Sequence, residues 1–571
     1  MGLIDTIDEG LSSLAGQWNP YSTGLLTLLL ALVSYRVLST REPDVHPMLL
    51  ARQAVPSPVR NDGESPIYRS QAAPHGMPLN AGLNVKDAGA SKWARGRDGD
   101  LRDVWRKAVL GGDGGAKGRL LTVLGKQVVV DHKLRTIQPQ AACLKDITRQ
   151  INLIGQHIAD QGGIRVAVYL PNSIELLATL FACSFYSNLT TVLIPFNVSD
   201  DELVSMLRRS AVDTLITAPG AFPFDAVIKA YPSLRQLIWV TDEGSSHMDW
   251  NEVPEGTGSS INVATWQDIL RDSPVEAGLE LPTSDPSQTP MDIVTFWQTK
   301  PGQMEEMVRF SQANIVSAIA AQLAAIPTKE RINSSDMFLP ADSLANVHTL
   351  VLTLAAMYSN ASVALNSVAG QSLDLGVATQ GVAPTILVAS PQTLLGTHAE
   401  SLSRLSSPLA KASHALSTRS LTLDGIMSAS NPLSAFASGA SPAIGTTPGK
   451  LRLVYSAERV GSNTPHLSAQ VLSDLRVFTG ARFVYALTAA KVAGAVSQTA
   501  FYDYRLCNDG NGHFGSPLTS VEVFLKDSGP HRTTDEKIEG TIYVKGPCVA
   551  GGQANIGVAG RIRDDNTLAY A

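Results

Sequence analysis

Between residues 164 and 242 the chain alternates short apolar runs with amphipathic stretches, and that alternation limits the folds open to it. "IRVAVYLPNS" reads as a buried strand ending in Pro, followed by the helix "SIELLATLFACSFYSN" and the strand "TTVLIPFN". The helix "DDELVSMLRRSA" and the strands "VDTLITAP" and "LRQLIWVTD" come next, and "PTILVAS" and "KLRLVYSAE" continue the theme. Short apolar runs between amphipathic helices imply α/β architecture, with parallel sheets flanked by helices. From about His513, "VEVFLKD" and "GTIYVKGP" alternate as strands of a smaller β-rich subdomain do. The chain has 571 residues, 44% of them hydrophobic and 17% charged, enough for a large core in more than one lobe.

The net charge of −6 and the lack of a basic patch interleaved with aromatics argue against nucleic-acid binding. Four scattered cysteines, with no CxxC pair, give neither a disulfide framework nor a zinc site. "PYSTGLLTLLLALVSYRVL", Pro20 to Leu38, is uncharged until Arg36; as a helix it would be roughly 28 Å long, near the thickness of a bilayer. It predicts one transmembrane helix, retained as an anchor. The basic residues after it place the rest of the chain in the cytosol, on the endoplasmic reticulum, a lipid droplet or another cytosol-facing membrane. The expected division is a membrane anchor over 1–45, an extended tether over 46–115, an α/β lobe over 116–510 and a β-rich subdomain over 511–571. "GNGHFG" has the GxGxxG spacing but precedes a strand, so it reads as a turn. His348, in an apolar helix-like run, reads as a satisfied core histidine.

The stretch "VTFWQTKPGQMEEMVRFSQANIV" runs from a strand through a loop toward a helix, the plan of a phosphate loop, yet the loop holds one glycine and two acids. Its setting carries a resemblance. "VAVYLPNSIELLATLFACSFYSNLTTVLIPFNVSDDELVSMLRRSAVDTLIT", "FLPADSLANVHTLVLTLAAMYSNASVAL", "LRLVYSAERV", "VYALTAAKVAG" and "EGTIYVKGPCVAGG" are similar, in order and spacing, to blocks of the adenylate-forming (AMP-binding) superfamily. They most resemble the large N-terminal lobe of its long-chain acyl-CoA synthetases. The resemblance implies ATP-dependent acyl-adenylate formation followed by transfer to coenzyme A, with Mg²⁺ at the triphosphate.

Against that pattern the motifs are degenerate. Thr299 alone keeps a loop hydroxyl in register, and Glu306 stands at the family's lysine position. Lys300, at the loop's start, would approach from a different side. In "YALTA", Tyr485 and Thr488 survive but Ala489 stands at the Mg²⁺ carboxylate; in "IGVAGRI", Val558 stands at the ribose aspartate. The residues themselves favour a core aromatic at Tyr485 and a turn residue at Thr488. The sequence given ends near the family's hinge, before the lid domain.

The resulting expectation is a membrane-anchored pseudoenzyme with no catalytic residue and no cofactor. It would bind the bilayer and an acyl lipid or an active acyl-CoA synthetase, and Thr299, Tyr485 and Thr488 would be a vestigial nucleotide site. The alternative is an active long-chain fatty acid-CoA ligase of unusual motifs, using ATP, Mg and coenzyme A.

Overall fold

The computed structural model describes all residues except 1–18, 40–41, 87–88, 92, 113–114, 124–126, 131–132, 137–139, 242–260, 281–287, 299–302, 368–373, 428–437, 448 and 507–511. Two parallel-based sheets carry the α/β part. The first has seven strands, in the order Asn262–Thr265, Gln236–Trp239, Thr214–Thr217, Arg165–Tyr169, Thr190–Leu193, Ile293–Trp297 and Glu306–Phe310. Only the last pair is antiparallel. The second has nine strands, with a parallel centre formed by Arg482–Thr488, Leu453–Arg459, Ile386–Val388, Met337–Pro340, Ser362–Asn366 and Leu120–Val123. The apolar runs read from sequence are these strands. They are buried on both faces by helices such as Ile174–Phe185 and Val347–Tyr358, nearly all of whose residues are buried. That double covering explains their continuous rather than alternating apolarity.

The third sheet has six antiparallel strands: Ala54–Pro56, Tyr68–Ser70, Glu522–Lys526, Ile538–Lys545, Gln553–Ile562 and Leu568–Tyr570. Its first two strands come from the segment expected as a tether. Ser65 is stitched to Leu525, its hydroxyl accepting from the Leu525 N–H at 2.8 Å. Farther along, the helix Leu101–Leu110 carries an Asp100/Asp103 capping box and buries Leu101, Val104 and Trp105 completely. At these places the segment packs on the body, because its few apolar side chains find cover there.

A helix does form at Pro20–Ser39, but the expected transmembrane span is not supported. Among the described residues no helix is long and apolar enough to cross a membrane. The polar turn Tyr21–Thr23 and the charged Arg36 confine its predominantly apolar stretch to Gly24–Val33, about 15 Å of helix against about 30 Å of hydrocarbon.

His348 is a core residue, 2% exposed, but neither ring nitrogen has a hydrogen-bond partner, so it is not the satisfied histidine expected. Burial pushes its pKa down to about 4. The folded value lies below the unfolded one, so unfolding takes up a proton. Stability is complete above pH 6.5 and declines as pH falls toward 4. His348→Leu should remove about 3 kcal/mol of that decline in chemical-unfolding curves. His157, His414 and His513, also lowered by burial, and the paired carboxylates Asp103, Asp336 and Asp503 contribute to the slope that remains. An unchanged slope in His348→Leu would remove His348 from this account.

Candidate functional site

Tyr485, Thr488 and Ala489 lie where the strands Leu453–Arg459 and Arg482–Thr488 reach the C-terminal edge of the nine-stranded sheet, the edge at which open α/β sheets receive ligands, and Glu306 reaches it through Lys491. Strand Ile293–Trp297 and strand Glu306–Phe310 close the degenerate loop as a hairpin, with Trp297 opposite Glu306. The helix that follows, Gln312–Ala325, begins only after this second strand. Its first amides are already capped by Ser311 in a box with Asn314. The loop therefore lacks the helix N-terminus a phosphate loop would present. Thr299 and Lys300 lie outside the described residues.

The acids of the loop have partners. Glu305 is 7% exposed and lies 3.4 Å from Arg209, whose Nη2 also donates to the Glu305 carbonyl at 2.6 Å. Glu306, at the family's lysine position, pairs with Lys491 at 3.2 Å. Lys491 lies two residues beyond Ala489, the position of the family's carboxylate. Against the pattern the resemblance implies, the charges are reversed, with an acid on the loop and a base two residues beyond Ala489. A backbone ladder fixes this region, with Ala550 N donating to Lys491 O and Ala493 N to Cys548 O, at 2.8 and 2.9 Å.

Tyr485 is fully buried, and its hydroxyl donates to Glu458 Oε2 at 2.5 Å while accepting from Leu467 N at 3.1 Å. His466 Nδ1 lies 2.6 Å from the same Glu458 oxygen. Because His466 Nε2 accepts from Gly512 N at 3.2 Å, the network assigns the ring proton to Nδ1, which donates to Glu458. Tyr570 also bonds Glu458. Burial first, then the Glu458 charge, holds both phenols well above the ordinary tyrosine range, so they are neutral donors. Phe514 packs on Tyr485 and Tyr570, ring centres 5.4 and 5.0 Å apart. The turn that carries it needs glycine at Gly515, whose φ is +67° and where a Cβ would meet Gln498 O at 1.9 Å.

Thr488 Oγ1 donates to the Glu458 carbonyl at 2.8 Å, so it is an interior anchor rather than a turn residue. Ala489 is 4% exposed and offers no ligand. Val558 is partly buried against the core, on strand Gln553–Ile562 beside the register shift between Thr541 and Tyr543. Sequence reasoning missed Glu458, Arg459, His466, Lys491 and Tyr570. One signal was present: the charged pair Glu458–Arg459 ends an otherwise apolar strand.

Does this site fit Mg-ATP? The hydroxyls of Tyr485 and Thr488 are committed to Glu458, the residue at the family's lysine position is a paired acid, and that at its carboxylate position is an alanine. Among the described residues, no group of three or more His, Cys, Asp or Glu side chains is placed to hold a metal. The groups that the resemblance would assign to the nucleotide are, among the described residues, engaged elsewhere or absent. A groove of about 1420 Å³ opens elsewhere, at the N-terminal edge of the seven-stranded sheet beside Ile164 and Leu189, and touches none of these residues.

No family model matches the sequence, and no match is found among curated proteins. Solved structures do match. The anthranilate CoA ligase AuaEII, solved with anthranoyl-AMP, has a TM-score of 0.57 at 14% identity, covering 83% of this chain and 77% of that one. The N-terminal domain of FACL13 from Mycobacterium tuberculosis gives 0.54 at 12%, covering 83% of this chain and 100% of that domain. The fold is that of the adenylate-forming ligases. A benzoate CoA ligase from Burkholderia xenovorans LB400 agrees, with a TM-score of 0.54 at 13% identity over 83% of this chain and 80% of that one. At these identities the adenylate-forming fold is shared while the side chains that would work on it are free to differ.

Proposed function

We propose that this chain is a non-catalytic relative of the long-chain acyl-CoA synthetases, one that binds an acyl lipid or a partner protein such as an active synthetase without activating a substrate. One observation carries the reading. The hydroxyls of Tyr485 and Thr488 are turned inward onto Glu458, in the region where the family resemblance puts the nucleotide. A working ligase would need those groups, a cationic loop and a metal carboxylate.

The same reading gives the helix Pro20–Ser39 the task of seating the protein on a cytosol-facing membrane or lipid droplet. Its apolar side chains are the support: Tyr21, Leu25 and Leu28 are 88, 70 and 67% exposed, and exposed apolar area of this kind favours an apolar phase. Vesicle flotation and mass spectrometry of bound lipid test both parts. The full chain is expected to float with phosphatidylcholine vesicles and to carry acyl lipid through purification. The variant Leu25→Asn/Leu28→Asn/Leu29→Asn should stop floating yet keep its lipid. A full chain that neither floats nor carries lipid would defeat the lipid-binding form of the reading.

A further inference from the structure

Arg459 ends its strand at the same C-terminal edge, in register with Thr488. Its guanidinium carbon lies 4.5 Å from the centre of the Trp297 ring. That ring is fixed in turn, since Trp297 Nε1 donates to the carbonyl of Val460 at 3.0 Å. The Nε of Arg459 is sealed from solvent and has no hydrogen-bond partner, while the residue as a whole keeps partial exposure. Among the described residues no carboxylate forms an ion pair with it. The one acid whose charge reaches it is Asp342. Asp342 is itself engaged, accepting from Ser343 N, Asn346 Nδ2 and Thr349 Oγ1 at 2.8, 3.0 and 3.1 Å.

Other arginines of this protein show the usual solution. Arg452 meets Asp336 at 2.8 Å, and Arg505 meets Asp503 at 2.7 Å. Sealing part of a guanidinium from water without a counter-charge is costly, and burial lowers the pKa of Arg459 accordingly, while its Nη atoms are left open to a ligand. We propose that Arg459 and Trp297 form an anion seat, which takes the carboxylate of an apolar acid and holds it by charge without activating it.

The choice of ligand follows from the surroundings. A planar guanidinium fork matches a carboxylate in bidentate fashion. The nearby Asp342 charge disfavours a dianion such as phosphate. The Trp297 face and Val460 supply the apolar contact that an acid's hydrocarbon part would use. The idea rests on the non-catalytic reading above, because a site built to transfer the carboxylate to phosphate would not neutralise it with a fixed guanidinium.

The test is calorimetric titration of the full chain with sodium octanoate, with inorganic phosphate as comparator and tryptophan emission as a second readout. Octanoate should bind saturably, and more tightly than phosphate. Arg459→Met and Arg459→Gln should weaken it tenfold or more, and Arg459→Lys only a few-fold. Trp297→Phe should keep the heat and lose the emission change. Thermal unfolding identifies the variants that fold; if the Met and Gln variants do not, the Lys variant's few-fold loss and the Trp297 emission change decide. No octanoate binding, equal binding by Arg459→Met, or preference for phosphate would overturn the seat. Acyl lipid still co-purifying with Arg459→Met would do so while leaving the wider binding function standing.

Discussion

Titrated with Mg-ATP, the purified full chain is expected to bind no more tightly than about 1 mM, worth only about −4 kcal/mol. It should show no fatty-acid-driven pyrophosphate exchange above a protein-free blank. The reversed charge at Glu306 is the smaller part of the reason. A bare carboxylate 4 Å from a phosphate charge would cost about 4 kcal/mol at an effective dielectric near 20, but Lys491 neutralises it. That pair is about half exposed, its partners at 44 and 50%, so the pair itself contributes little.

The larger part is that the interior has claimed the binding groups. To bond a nucleotide, Tyr485 must give up its bond to the buried Glu458 carboxylate, and Thr488 its bond to a buried carbonyl. Each such loss costs about 1 to 3 kcal/mol, and more for the charged group. Ala489→Glu alone should therefore rescue nothing. Adding Glu306→Lys should not rescue it either, because it sets a second cation against Lys491 and leaves Tyr485 locked. Micromolar binding, or exchange above the blank, would promote the ligase alternative.

Glu458→Ala is expected to destabilise the protein by about 3 kcal/mol or more, since each buried donor left without an acceptor costs about 1 to 3 kcal/mol. Glu458 is 6% exposed and serves Tyr485, His466 and Tyr570. Its removal strands donors on separate elements, the ones on which Phe514 packs. Glu458→Gln should cost less, because it keeps one acceptor and the side-chain volume, though its amide faces donors. Tyr485→Phe should be milder still, as it removes one donor and leaves Glu458 two. The measurement is the shift of the unfolding transition for the three variants. An alanine variant within about 1 kcal/mol of wild type would show that the cluster is not holding the sheet edge together, and the account of a self-filled site would fall with it.

The sequence alone determined the parallel sheets, because short apolar runs such as "VAVYLP" and "TILVAS" need only local composition to declare a strand covered on both faces. Through the family resemblance it also set an expectation about the site, with Glu306, Ala489 and Val558 standing where the family carries a lysine, a carboxylate and an aspartate, each legible one residue at a time. The tertiary structure decided what stands around them. The three-residue strands Ala54–Pro56 and Tyr68–Ser70 are too short to carry a period, and their partners lie far along the chain; Ser65 and Leu525 are 460 positions apart. The Glu306–Lys491 pair and the Glu458 cluster likewise join residues from separate loops and strands. Hydrogen bonds and ion pairs reach only about 3 to 4 Å, so which groups meet is fixed by how the sheets bring distant segments together. The same limit applies to the helix Pro20–Ser39: its composition announced a helix, and only the side chains that remain exposed on it show what cover it still needs.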